Sequence, residues 1–104
     1  MKEITVQELK AKMDNKEDFQ LIDVREEHEF DFCNLNGELI PMGNILFETD
    51  RISKDKPVII HCKSGGRSGV VVNELEKKGF TNVYNLKGGI LMYAKEIDPS
   101  IPLY

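Results

Sequence analysis

Eight consecutive residues, HCKSGGRS at positions 61–68, hold most of the chemistry this chain could perform: a cysteine, a lysine and an arginine, two hydroxyls and a glycine pair. The preceding PVII is an apolar, β-branched run, and the following VVVNELEKKG has helical spacing. Cys62 to Arg67 must therefore form a short turn from strand to helix. The first N–H groups of a helix have no intrahelical partner and carry its positive dipole end, so such a turn holds anions. Here the first candidate anion is the sulfur of Cys62 itself.

A thiol attacks only as thiolate. At a reference pKa of about 8.5, under about a tenth of Cys62 would be ionised at neutral pH. Lowering that value by about two units requires about 2.7 kcal/mol of selective stabilisation of the charge. A helix N-terminus supplies ~0.3–1 kcal/mol, so loop N–H groups, with Arg67 or Lys63, are expected to provide the rest. Gly65 and Gly66 are expected to take positive φ and turn successive amides to one side as an anion nest, and Ser64 and Ser68 add hydroxyl donors. Too acidic a thiolate is a poorer nucleophile, which makes a value somewhat below neutral pH the useful compromise.

The elements that must position this turn alternate along the chain as strand and helix, which implies an α/β fold: one domain over residues 1–104, a central mostly parallel sheet and helices on both faces. Ile4 reads as a short first strand. Thr5 with Glu8 reads as a capping box opening a helix to about Lys16. Gln20 to Val24 is a strand, followed by an acidic helical turn from Arg25 to Phe30. Leu39 and Ile40 before Pro41 suggest a small strand and Asn44 to Arg51 a helix. Val58 to His61 is a fully buried strand, with Pro57 at its start. Arg67 to Lys78 forms a helix closed by Gly79 in a left-handed cap, Asn82 to Leu86 the last strand, and Gly88 and Gly89 a tight turn into a final helix.

Composition narrows the function classes. A formal net charge of -4 with no long block of like charge offers no footprint for nucleic acid or an anionic membrane. The N-terminal MKEITVQELK lacks the apolar core of a signal peptide, and no apolar run approaches the ~20 residues of a membrane span. A cytoplasmic monomer is expected, with Cys33 and Cys62 as reduced thiols. CxxC is absent, two histidines placed as His28 and His61 do not make a metal site, and the P-loop lysine and the full dinucleotide fingerprint are missing, so neither metal nor cofactor is expected.

In order and spacing, LIDVRE, NGELIPMGNI, VIIHCKSGGRS and NVYNLKGGI resemble the single-domain rhodaneses, sulfurtransferases that carry sulfane sulfur as a cysteine persulfide. The resemblance covers nearly the whole chain. It implies that Cys62 forms the persulfide and that Lys63, Ser64, Gly65, Gly66, Arg67 and Ser68 make the active-site loop and bind substrate. Asp23 and Arg25 would support it, Asp23 in a scaffold ion pair or hydrogen-bond network and Arg25 in a possible substrate contact. The donor would be a small sulfur-containing anion such as thiosulfate or a polysulfide, and the acceptor a thiol, cyanide or a protein. The middle segment looks more like the rhodanese domains attached to ubiquitin-like-activating adenylyltransferases, which points to a sulfur-carrier protein as acceptor. Tyr93 stands where many members have tryptophan.

Two other readings stay open from sequence: a catalytically silent module of the same fold that binds partners or senses oxidants, and a cysteine phosphatase or arsenate-reductase-like enzyme. The second is disfavoured because those enzymes use HCxxxxxR, whereas this chain reads HCxxxxR. Cys33 is expected to pack rather than react, and His61 to face away from the nucleophile, satisfied in the core. Arg67 could hold the loop carbonyls from beneath or act through its charge. Phe30, Phe32, Phe47 and Met42 could border the pocket mouth, with core packing as their default.

Overall fold

Short β-branched runs supply five strands, and every pairing between them is parallel. The computed structural model describes residues 1–104. In chain order it contains β1 (Glu3–Ile4), α1 (Val6–Asp14), β2 (Gln20–Asp23), α2 (Glu27–Phe32), β3 (Glu38–Leu39), α3 (Met42–Ile45), a 3-10 turn (Thr49–Arg51), β4 (Val58–His61), α4 (Gly66–Lys77), β5 (Val83–Leu86) and α5 (Gly89–Glu96). The sheet order is β1-β5-β4-β2-β3. Parallel neighbours need a crossover, and each crossover places a helix on a face of the sheet. No helix is long and apolar enough to cross a membrane.

Side-chain alternation along β4 divides the core into two layers. Val58 and Ile60 pack with Ile22, Ile45, Val71, Val72 and Leu75, beneath α3 and α4. Ile59 faces the other way, with Val6, Leu9, Leu86, Ile90 and Tyr93, beneath α1 and α5. β4 is buried at all four positions, as its unbroken apolar run implied. The chain leaves β2 toward the β3 edge and leaves β4 toward β5. That divergence opens a crevice beyond the carboxyl ends of β2 and β4, the place where open α/β sheets bind ligands. The HCKSGGRS turn emerges there.

Local signals explain most boundaries. Thr5 and Glu8 form the reciprocal capping box, at 3.1 and 2.9 Å. α1 stops at Asp14, with Lys16 in the left-handed region at φ 52°, and Gly79 after α4 has φ 99°. The expected helix over Asn44 to Arg51 is not present as one element. Pro41 caps a helix that starts at Met42, its carbonyl accepting from the amides of Asn44 and Ile45 at 2.8 and 3.1 Å. The next bonds, Phe47 to Asn44 and Glu48 to Ile45, are three-residue closures that tighten and end the helix. Phe47 is 89% exposed and offers no packing to continue it, so the segment resumes only as the 3-10 turn.

Candidate active site

Cys62 follows the last residue of β4 directly, and the loop folds back so that its own donors surround the sulfur. The amides of Gly65 and Ser68 point at Sγ from 3.2 and 3.4 Å, and the Ser68 hydroxyl lies 3.3 Å away. Burial pushes this thiol up, since only 1% of Cys62 is exposed. The bonds from Ser68, Gly65 and Ser64 act in the opposite direction and prevail, leaving Cys62 below its ordinary value. The positive end of α4, which begins at Gly66, adds to them.

Of the two glycines, only Gly65 uses the left-handed region, at φ 107°; Gly66 starts the helix with ordinary backbone and open space around it. One positive-φ residue is enough, because it turns the Gly65 amide inward and lets the helix begin at the next residue.

The floor of the loop is set by α5. Gly88 and Gly89 take φ 82° and 61°, and the amides of Ile90 and Leu91 then donate to the carbonyls of Cys62 and Lys63, each at 3.0 Å. The turn before α5 therefore caps the backbone of the site. Asn85, in the middle of β5, adds a second anchor: its Nδ2 donates to the Gly65 carbonyl at 3.1 Å, and the Ser68 hydroxyl donates to its Oδ1 at 2.5 Å. Neither contact is visible as a motif. A polar residue inside the otherwise apolar VYNL is the one sequence signal that could have marked Asn85.

The two arginines nearest the site, Arg25 and Arg67, are both committed. Arg25 is fully buried and grips Asp23 through Nε and Nη2, the latter at 2.7 Å, while Nη2 also reaches the Cys33 carbonyl and Nη1 the Tyr104 hydroxyl. The ion pair expected at Asp23 is in place, and the Arg25 donors are turned to Asp23, Cys33 and Tyr104. Arg67 holds no loop carbonyl. Its two terminal nitrogens clamp Glu29 of α2 at 2.7 and 3.0 Å, and Tyr104 donates to the same carboxylate at 2.8 Å. That leaves Lys63 as the loop cation without a carboxylate partner; its Nζ sits 4.5 Å from the centre of the Tyr104 ring.

A hollow of about 390 Å³ beside Lys63 is lined by His28, Glu29, Phe32, Lys63 and Tyr104. Phe32 meets Tyr104 edge to face at 5.9 Å. Of the other aromatic and Met candidates, Met42 packs against the α4 layer, and neither Phe30 nor Phe47 lines the hollow. Tyr104 and Glu29 had no sequence signal as site residues, because the first lies in an irregular tail and the second in an ordinary acidic turn. A larger hollow of about 590 Å³ lies at the opposite ends of β2 and β3, where Arg51 pairs with Glu38 and Glu48 and no nucleophilic cysteine is present.

His61 faces away from the sulfur, as strand alternation requires, but it is not satisfied: neither ring nitrogen has a hydrogen-bond partner, and Nε2 stands 3.8 Å from Asp23. Burial holds its pKa below the usual range, so the ring is neutral and packs as a core group. Cys33 is buried in the other layer, with its sulfur 3.7 Å from the Pro102 carbonyl. No disulfide joins it to Cys62.

The Arg67 hydrogen bonds hold the Glu29 carboxyl well below the usual carboxylate range. A carboxylate depressed in the folded state stabilises the fold above its unfolded pKa of about 4.3, and that contribution drains away as pH falls toward the folded value. Glu29→Gln is expected to cost about 1 kcal/mol at neutral pH, a modest figure because Arg67 is partly solvated. In urea unfolding the gap to the parent should narrow progressively below about pH 4. A gap independent of pH would assign the loss to packing.

The rhodanese-like domain pattern matches residues 5–96. The chain is 40% identical over its whole length to "Rhodanese-like/PpiC domain-containing protein 12, chloroplastic" of Arabidopsis thaliana, covering 38% of that protein. Over 84% of its length it is 30% identical to "Adenylyltransferase and sulfurtransferase UBA4" of Meyerozyma guilliermondii, covering 23% of it. The chain thus spans well under half of these relatives. A crystal structure of a rhodanese-like domain protein from Staphylococcus aureus superposes with a TM-score of 0.83 at 35% identity, over 93% of this chain and 95% of that one. A cysteine on the carboxyl end of the central parallel strand, ringed by its own loop donors, is thus found in a chain whose sequence and fold agree on one assignment: it belongs to the rhodanese-like domain family.

Proposed function

We propose that this chain, as one domain over residues 1–104 acting as a monomer, is a sulfurtransferase that carries sulfane sulfur as a Cys62 persulfide. The observation that carries the reading is the pair of loop amides, of Gly65 and Ser68, that point at the Cys62 sulfur from 3.2 and 3.4 Å. The Cys62 thiolate attacks the sulfane sulfur of thiosulfate, its S–S bond breaks, and sulfite departs with the electron pair. A persulfide anion remains, its outer sulfur about 2 Å beyond Sγ and facing the loop amides. An acceptor thiol or cyanide then attacks that outer sulfur and releases the Cys62 thiolate, with no net oxidation. With a polysulfide the leaving group is the shortened chain. No cofactor takes part.

Lys63 is the residue assigned to the anionic donor, because both arginines are neutralised by carboxylates. Ser64, Gly65, Gly66, Arg67 and Ser68 shape the loop, and Asp23 with Arg25 supports it from below. The likeness to a protein named adenylyltransferase and sulfurtransferase supports a protein acceptor, such as a sulfur carrier. The two unpaired cysteines suit a reducing compartment such as the cytoplasm.

Intact mass measured after incubation with thiosulfate, and separately with polysulfide, tests the reading. A gain of about one sulfur atom is expected, discharged by cyanide as thiocyanate. No gain with either donor would overturn it in favour of the silent binding or redox-sensing module.

A further inference from the structure

Asn85 and Ser68 form a hydrogen-bond chain whose protons are fully determined. The Gly65 carbonyl can only accept, so the Asn85 group 3.1 Å from it must be the amide nitrogen. Oδ1 therefore faces Ser68, and at 2.5 Å the serine hydroxyl must be its donor. Ser68 has one proton. While Cys62 is a thiol, the arrangement is consistent from end to end: S–H donates to Ser68 Oγ across 3.3 Å, Ser68 donates to Asn85, and Asn85 donates to Gly65.

Ionisation breaks this order. A thiolate can only accept, so its best use of Ser68 is to draw the hydroxyl proton round to sulfur while its own proton leaves to solvent. Asn85 Oδ1 then loses its donor, and with Asn85 only 3% exposed the loss is costly. We propose that Asn85 is a positioning residue that restrains ionisation of Cys62 by competing with the sulfur for the single hydroxyl proton of Ser68. The two loop amides that face the sulfur promote the thiolate; Asn85 opposes them and keeps the sulfur from becoming so acidic that it loses nucleophilicity. The inference deepens the proposed sulfurtransferase reading, but it concerns ionisation alone and is measurable with no donor or acceptor present.

A double-mutant cycle on Asn85→Leu and Ser68→Ala tests it, with the ultraviolet absorbance of the thiolate titrated against pH and the matching Cys62→Ser protein as blank. Asn85→Leu alone should raise the thiolate-to-thiol ratio about tenfold, moving the midpoint down by about one pH unit. Ser68→Ala alone should move it up. In the Ser68→Ala protein, Asn85→Leu should produce none of its downward shift. Equal shifts in the two backgrounds, or an upward shift in the protein that retains Ser68, would overturn the proposal, because loss of the Gly65 anchor acts alike in both. Asn85→Ala, which empties space instead of filling it, runs the same cycle if the leucine prevents folding. Absent sulfur transfer with this cycle intact would sink the activity and leave the role of Asn85 standing.

Discussion

Cys62→Ser is expected to lower sulfur transfer from thiosulfate to cyanide by at least about 10⁴-fold and to abolish the gain of sulfur mass. The size of the effect follows from the bond that must form. A serine hydroxyl stays protonated at neutral pH and has no route to an S–S bond with the sulfane sulfur, so what survives is the background reaction of the two small molecules. The exchange of sulfur for oxygen is nearly isosteric, and the Gly65 and Ser68 donors can still bond the hydroxyl. Stability should therefore stay within about 1 kcal/mol of the parent. Thiocyanate production and a urea denaturation curve measured on one preparation separate chemistry from folding. Retention of even a tenth of the parent activity would point to a different nucleophile, and Cys33 is the one other cysteine.

Gly89→Ala should produce the largest loss of stability of any Gly→Ala change in this chain. The position has φ 61°, which costs an alanine about 1 kcal/mol by itself. Its Cβ would lie 2.7 Å from the Cys62 carbonyl oxygen and still closer to the Lys63 carbonyl carbon and oxygen. All three are backbone atoms and cannot step aside as a flexible side chain would. Relief requires α5 to part from the Cys62 loop, which breaks the bonds from Ile90 and Leu91 to those same carbonyls. A cost of about 3–5 kcal/mol is expected, enough to lower Tm by roughly 15–30 °C in a domain of this size. Gly66→Ala is the control. It adds a methyl where nothing lies within 4 Å and at a helical position, so it should leave stability unchanged or raise it by up to about 1 kcal/mol. If both variants unfold at the same denaturant concentration, the close approach of α5 to the loop does not exist in solution.

These two glycines mark how far sequence reading reaches. Val58 to His61 is legible as a buried strand because an unbroken apolar run between a proline and a glycine-bearing turn has few other solutions, and the strand-to-helix turn at Cys62 follows from it. The capping box at Thr5 and the left-handed cap at Gly79 are legible for the same reason: both are contacts within a few residues, dictated by side-chain type. The helix over Asn44 to Arg51 misled because propensity there is weak, and the outcome turned on Pro41 starting the helix early and on Phe47 finding nothing to pack against.

By itself, the order of residues determined the parallel α/β alternation, the strand-to-helix turn that carries Cys62 and the donors nearest its sulfur, since all of these are set by local backbone preference and by chemistry contained in one loop. Tertiary structure alone decided which charges remain free. Arg67 meets Glu29, and Arg25 meets Tyr104, only because α4, α2, the chain after β2 and the residues after α5 converge at one end of the sheet. Asn85 reaches Ser68 and Gly65 only because β5 lies beside β4. Electrostatics and hydrogen bonding depend on distance in space, and a partner 17 or 38 positions away leaves no trace in spacing along the chain.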